Sequence, residues 1–347
     1  MAKIAVIPGD GAGIEVAQAG LAVLTHLNQS RKLGLEWEVF DFGAERYLKT
    51  GVALPAGQID IFRRDYDAIL FGAVGDPRVK DNAHARDILL ALRFQLDLYV
   101  NFRPCRLLDD RLSPLKGKGK KELDFVVFRE NTEGLYNGIG GSFKKGTPDE
   151  VTIAEEISTR KGVERIIRAA FAWAKTHSKK RVALADKSNA IPAHELWTRV
   201  FKEVAAEYPD IAAKHYYVDA LAMQLLLTPE AFDVIVTTNL FGDILTDIGA
   251  GLTGGLGVAA SANLNPDSTP LFEPVHGSAP DIAGKGIVNP TAMFITTALM
   301  LRELGHPEAA ADLERATEAA VVAGQTTKDL QGTLSTSQVT QAVLAKL

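Results

Sequence analysis

The chain is expected to fold as an α/β protein of two domains, and three observations lead there. Short apolar, β-branched runs alternate with stretches of helical period along most of its length. At 347 residues it exceeds one typical hydrophobic core. No low-complexity linker separates two halves, so the domains are expected to interleave, with the chain crossing near residues 100 and 253. Residues 1–100 and 254–347 would then form one domain and 101–253 the other.

The elements follow in order. Residues 3–7 read as a strand, 14–27 as a helix, 36–41 and 67–72 as strands, and 84–97 as an amphipathic helix. Residues 124–128 form the next strand and 162–176 a helix; 181–185 is a strand, 191–208 largely helical, and 214–218 a strand. The run Phe232-Asp-Val-Ile-Val-Thr-Thr is apolar enough for a buried strand, and the segment after it is helical. Residues 291–347 are mostly helical. Strands separated by helices make parallel sheets with helices covering them. The glycine-rich, polar stretch 134–151 reads either as a protruding arm or as a plain surface loop.

Composition narrows the function. Apolar residues make up 46% and charged residues 23%, as in soluble globular proteins. A net charge of −5 gives no support to a nucleic-acid or membrane-surface role. The first residues have neither the length nor the flanks of a signal peptide, and no apolar run is long enough to span a bilayer, so a soluble, cytoplasmic protein is expected. A lone cysteine, Cys105, excludes an intrachain disulfide and suits packing better than nucleophilic work.

The densest chemical signal is Asn239-Leu-Phe-Gly-Asp-Ile-Leu-Thr-Asp-Ile-Gly. Asp243 and Asp247 lie one helical turn apart on one face, close to where strand meets helix. Two carboxylates so placed suit Mg²⁺ or Mn²⁺; they also suit a solvated acidic first turn favoured by the helix dipole. Other strands end on reactive residues: Arg129 with Tyr136 a short loop later, Lys187 after 181–186, and Asp219 after 215–218. Ligands of open α/β sheets bind beyond the carboxyl ends of strands, where these groups would converge. Arg93, Arg103 and Arg129 offer three forks for carboxylates. Each arginine also suits an ion pair with a local acid, the reading favoured for Arg103 taken alone. Taken together they describe a site for a di- or tricarboxylate with a chelating hydroxyl. The first loop, Pro8-Gly-Asp-Gly-Ala-Gly, lacks the G-x-G-x-x-G spacing and reads as close ligand approach or as a tight strand-to-helix turn.

Pro8-Gly-Asp-Gly, Arg129-Glu-Asn-Thr-Glu-Gly-Leu-Tyr136, Asn239 to Asp247 and Glu273-Pro-Val-His-Gly-Ser-Ala-Pro-Asp-Ile-Ala-Gly-Lys-Gly-Ile-Val-Asn-Pro290 resemble the β-decarboxylating dehydrogenases. That group comprises the 3-isopropylmalate, isocitrate, homoisocitrate and tartrate/D-malate enzymes, and the match runs in consistent order from Lys3 to the C-terminus. The resemblance implies a two-domain isopropylmalate-dehydrogenase-like fold, distinct from the Rossmann fold, with a cofactor-binding domain at 1–100 and 254–347. The domain at 101–253 would carry substrate, metal and dimer contacts, in a homodimer whose active sites are shared.

The resemblance assigns Arg93, Arg103 and Arg129 to the substrate carboxylates, Tyr136 as proton donor and Lys187 as base. Asp219, Asp243 and Asp247 become Mg²⁺ or Mn²⁺ ligands, with Lys187 and Asp219 reaching in from the partner. A lysine among cations loses its charge more easily, which fits a base. His276, Gly277, Ser278, Ala279, Asp281 and Asn289 would bind the cofactor. Asp281 stands where it accepts from both ribose hydroxyls and repels a 2′-phosphate, so NAD is expected over NADP.

Substrate choice is expected to rest on Leu89 and Leu90, in the helix before Arg93. Homoisocitrate enzymes place an arginine at the Leu90 position, and isocitrate enzymes tend to have serine and asparagine in the region. Two leucines suit an isopropyl group, whose burial is worth about 1.5–3 kcal/mol. An unpaired carboxylate there would be costly. The expected reaction is oxidative decarboxylation of 3-isopropylmalate to 2-oxoisocaproate, in leucine biosynthesis. Isocitrate, homoisocitrate and tartrate or D-malate are the alternatives. Arg86 stands where isopropylmalate enzymes often carry glutamate, and it either reaches a carboxylate or points to solvent. A non-catalytic regulatory subunit would be expected to have lost part of the tyrosine, lysine and aspartate set, all of which is kept here.

Overall fold

In the computed structural model, which describes residues 2–347, the strands are β1 (Ala2–Gly9), β2 (Leu35–Val39), β3 (Ala68–Ala73), β4 (Val100–Arg106), β5 (Asp124–Glu130), β6 (Gly140–Phe143), β7 (Val151–Ala154), β8 (Arg181–Asp186), β9 (Ala212–Tyr217), β10 (Val234–Thr237), β11 (Ala260–Leu264) and β12 (Leu271–Pro274). The chain divides into two compact units, one of residues 1–98, 103–123 and 249–347, the other of 99–102 and 124–248. The chain leaves the first unit just before β4, returns to it within β4, leaves again at the start of β5 and re-enters within the helix Asn239–Thr253. Residues 103–123 fold with the first unit, an excursion that the expected crossings did not include.

In the first unit the strands run in the order β2-β1-β3-β12-β11. β1 pairs in parallel with β2 and β3, and β12 in parallel with β3. β11 and β12 are antiparallel, which the expected parallel sheet lacked. Only the stretch 265–270 joins them, long enough for a hairpin and too short for a parallel crossover. The core beneath is aromatic. Phe62 is fully buried and meets the edges of Phe40 at 5.2 Å and Tyr66 at 5.6 Å between ring centroids. Ile88, Leu92, Leu96 and Leu98 join the same core, which anchors the inner face of the helical stretch that carries Arg93.

That stretch is not the single α-helix its period predicts. It runs α over Ala83–Ala85, π over Arg86–Leu90 and α again over Ala91–Gln95. A π-turn holds one residue more than an α-turn and shifts the side chains after it around the axis. Ile88 and Leu92 stay in the core, while Leu89 and Arg93 reach a cavity described below.

In the second unit β5, β10, β8 and β9 lie in that order and every pair is parallel. Val234, Ile235 and Val236 are fully buried, as the run of β-branched residues requires. The helices Arg160–Thr176 and Glu195–Ala205 pack beside this sheet through apolar faces that include Ile166, Phe171, Trp197 and Phe201. The stretch 134–151 resolves as part of a two-stranded antiparallel ribbon, β6 with β7, exposed along both strands. No described helix is long and apolar enough to cross a membrane.

Cys105 is buried in β4, and burial pushes its thiol up to about 12. At pH 8 it should resist a chromogenic disulfide reagent until denaturant is added; rapid labelling of the folded protein would contradict this packing. Phe62→Ala should cost about 3–5 kcal/mol, read as a lowered denaturant midpoint, because the aromatic cluster around it cannot close over the void.

Candidate active site

Each unit holds part of the expected constellation. In the second, Arg129 stands near the end of β5 and is 3% exposed. Its Nε and Nη2 donate to Asn239 Oδ1 at 3.0 and 2.8 Å, and its Nη1 donates to Asp243 Oδ1. The Tyr136 hydroxyl donates to the other oxygen, Asp243 Oδ2, at 3.1 Å. Asn239 and Asp243 are one turn apart in the Asn239–Thr253 helix, and between them Gly242 gives the arginine room. A Cβ at Gly242 would stand 2.4 Å from Arg129 Cγ, so any larger residue would displace the guanidinium. Thr238 starts the helix by accepting the Phe241 N–H on its hydroxyl at 3.4 Å.

Lys187 follows β8, and its Nζ lies 2.7 Å from Asp219 Oδ2. The lysine beside Asp219 holds that carboxyl below its ordinary value. Lys187 thus faces an acid within its own chain, where cations were expected. The turn that carries it is braced by two histidines missed in the sequence. His194, fully buried, accepts the Lys187 backbone N–H on Nδ1 at 3.0 Å, which leaves Nε2 to donate to Glu156 at 2.9 Å. His215 Nε2 meets the buried Asp186 carboxylate at 2.8 Å. Asp247 is exposed. Among the described residues no three carboxylate, imidazole or thiol side chains cluster as a metal site, so Asp219 does not join Asp243 and Asp247 within one chain.

The first unit supplies a cavity of ≈ 110 Å³ whose lining includes Leu89, Arg93, Arg103, Glu273, His276 and Gly277. Residues expected for substrate and for cofactor therefore meet in one place. Arg93 Nη2 donates to Glu273 Oε1 at 2.6 Å, and Asn263 Nδ2 donates to the same oxygen at 2.9 Å. Arg93 Nε is buried with no partner, a donor held in reserve beside the cavity. Glu273 had no assigned role; the signal for one was a carboxylate inside the otherwise apolar Leu271-Phe-Glu-Pro strand. Leu90 is half-buried next to Leu89, and Arg86 is exposed.

The stretch after β12 carries the remaining expected residues. Burial holds His276 below its ordinary value, and its Nδ1 contacts the Gly277 carbonyl at 3.0 Å. Ser278 is buried, and Ala279 takes a positive φ of 39°, rare for a residue with a side chain. Asp281 is exposed. Asn289 is buried and donates to Asp329 Oδ2 at 2.9 Å. The first glycine loop is a tight strand-to-helix turn packed on this stretch, with Ala12 N–H donating to Ser278 O at 2.7 Å.

Comparison with known proteins agrees with this geometry. Residues 3–343 match the family described as isocitrate/isopropylmalate dehydrogenase. A 3-isopropylmalate dehydrogenase of Streptomyces coelicolor is 49% identical over 320 residues, 91% of each chain. One from Rhodococcus erythropolis is 47% identical over 349 residues, covering 99% of this chain and 100% of its own. Among solved structures, an isocitrate dehydrogenase from Methylococcus capsulatus superposes with a TM-score of 0.90 at 39% identity, covering 100% of this chain and 99% of its own. The chain belongs to the isocitrate/isopropylmalate dehydrogenase family and is an enzyme of the β-decarboxylating dehydrogenase type.

Proposed function

We propose that the enzyme oxidises and decarboxylates 3-isopropylmalate to 2-oxoisocaproate with NAD, a step of leucine biosynthesis. The observation that carries the substrate is Leu89 beside Arg93 and Arg103 in one cavity, with Arg86 exposed. Guanidinium forks suit the two carboxylates, and leucine suits a branched alkyl group rather than a third charge. The names borne by the Streptomyces and Rhodococcus relatives support the same substrate.

Residues 1–100 and 254–347 serve as the cofactor-binding domain in this reading, and 101–253 as the substrate, metal and dimerisation domain. His276, Gly277, Ser278, Ala279, Asp281 and Asn289 bind NAD; the exposed Asp281 carboxylate suits the two ribose hydroxyls of NAD and repels a 2′-phosphate. Asp243 and Asp247, one turn apart, fit the oxygen-donor set of Mg²⁺ or Mn²⁺, and Asp219 of a second subunit would complete it. A homodimer with shared sites is further supported by apolar side chains left in solvent on the second unit. Phe143 on the ribbon is 60% exposed, and Leu227 on the helix Val218–Leu227 is 58% exposed. The same reading makes the enzyme cytoplasmic.

The residues then divide the chemistry. Arg93, Arg103 and Arg129 hold the carboxylates and orient the carbinol carbon. Lys187 takes the hydroxyl proton, directly or through water, and Tyr136 delivers a proton to the carbon that CO₂ leaves. When bound, the divalent cation supplies Lewis acidity at the hydroxyl and NAD accepts the hydride.

With Mg²⁺ and NAD present, 3-isopropylmalate should give a kcat/KM far above isocitrate, homoisocitrate, D-malate and tartrate, and NADP should replace NAD poorly. A tricarboxylate preferred in that panel would sink the leucine argument. Tyr136→Phe and Lys187→Met should each lower kcat by about 10²–10⁴ without shifting the melting temperature. Full turnover in either variant would remove that residue from the proton-transfer pair.

A further inference from the structure

One carboxylate outside the proposed chemistry is placed to link its parts. Asp10 follows β1 and is 5% exposed. Its Oδ1 accepts the Ala44 N–H at 2.6 Å; its Oδ2 accepts the Gly75 N–H at 2.9 Å and meets His84 Nε2 at 2.8 Å. The segments after β1, β2 and β3 and the start of the Arg93-bearing stretch thus share a single charged acceptor. Charge-assisted bonds of this kind are the strong ones. His84 is fully buried and its Nδ1 has no partner, so Nε2 is the ring's donor and Asp10 its acceptor.

The Asp10 loop also leans on the stretch expected to hold the cofactor. Besides the Ala12–Ser278 bond, a Cβ at Gly11, whose φ is +55°, would come within 2.3 Å of Ser278 O. A Cβ at Gly75 would lie 3.1 Å from Ser278 Oγ. Contacts this close transmit a displacement rather than absorb it. On the far side of the carboxylate, His84 begins the stretch whose π-turn presents Leu89 and Arg93 to the cavity. A continuous series of packed and hydrogen-bonded groups therefore runs from Ser278 through Asp10 and His84 to Leu89.

We propose that the buried Asp10–His84 pair couples the cofactor stretch to the substrate helix, so that dinucleotide and hydroxy acid raise each other's affinity through it. His84 is a positioning residue here; it touches neither ligand. The inference rests on the functional reading above, in which Ser278 faces NAD and Leu89 faces the substrate alkyl group. Coupling of this sort is reciprocal by thermodynamic necessity.

The test uses the dead-end complex, which binds both ligands without turnover. The Kd of NADH is measured by fluorescence with Mg²⁺, in the absence and presence of saturating 3-isopropylmalate. The native enzyme should show an enhancement of about tenfold, within the usual range of such couplings. His84→Phe, which keeps a flat ring and removes the donor, should bring the enhancement to about onefold and leave the Kd for NADH alone within about twofold. His84→Gln, whose amide reaches the same carboxylate, should restore it. Purely structural support would lower the melting temperature and leave the enhancement intact, and that result overturns the proposal; so does a native enzyme with no enhancement. Should the phenylalanine variant not fold, His84→Asn, too short for Asp10, takes its place: equal enhancement in the asparagine and glutamine variants overturns the proposal, and loss in asparagine alone supports it. Failure of NADH or of 3-isopropylmalate to bind at all would instead count against the functional reading.

Discussion

Arg129 cannot shed its charge, yet its side chain is almost wholly out of water, and the second unit is organised around satisfying it. A guanidinium left unpaired in that position would cost several kcal/mol. The helix Asn239–Thr253 meets this demand with an amide and a carboxylate one turn apart, and with a glycine where the arginine crosses. Because the partners lie on one helix, pairing Arg129 also sets where that helix begins against β5. Asp243, Asp247 and the Tyr136 hydroxyl take their places as a consequence. A structural electrostatic constraint and the placement of reactive groups are one arrangement here.

The first unit solves a similar problem around Arg93. Glu273 accepts from it and is itself braced by Asn263 on the neighbouring strand, while Leu89 offers hydrocarbon to the same small cavity. Recognition of a branched hydroxy acid needs both kinds of surface close together, because a carboxylate must be paired and an alkyl group must be dry. The π-turn lies at that juxtaposition: Ile88 and Leu92 stay in the aromatic core, while Leu89 and Arg93 line the cavity. Such turns recur at functional sites because they re-aim side chains without breaking a helix.

Much of the fold was legible in the residues. β-branched runs such as 234–237 and amphipathic periods such as 160–176 identify strands and helices through burial on two faces or one. Lys187 and Asp219 stand just past strands, so alternation alone located them near carboxyl ends. The antiparallel β11–β12 pair and the strands β6 and β7 were not legible, since short exposed or loop-flanked strands lack a strong period. Buried polar residues were harder still. Asp10, His84 and His194 each look ordinary in their local context, and their importance comes from partners distant in the chain.

By itself, then, the sequence determined the α/β class, the order of the main elements, the family and the inventory of arginines, aspartates, tyrosine and lysine, because these depend on local periodicity and on contiguous motifs. Tertiary structure alone decided which groups meet: Asp243 with Arg129 and Tyr136, Lys187 with Asp219, Leu89 with Arg93 and Arg103, and Asp10 with His84. Most of those pairings join residues far apart in the chain, and those of Arg129 and of Asp10 with His84 satisfy buried polar groups, a requirement that no local pattern records.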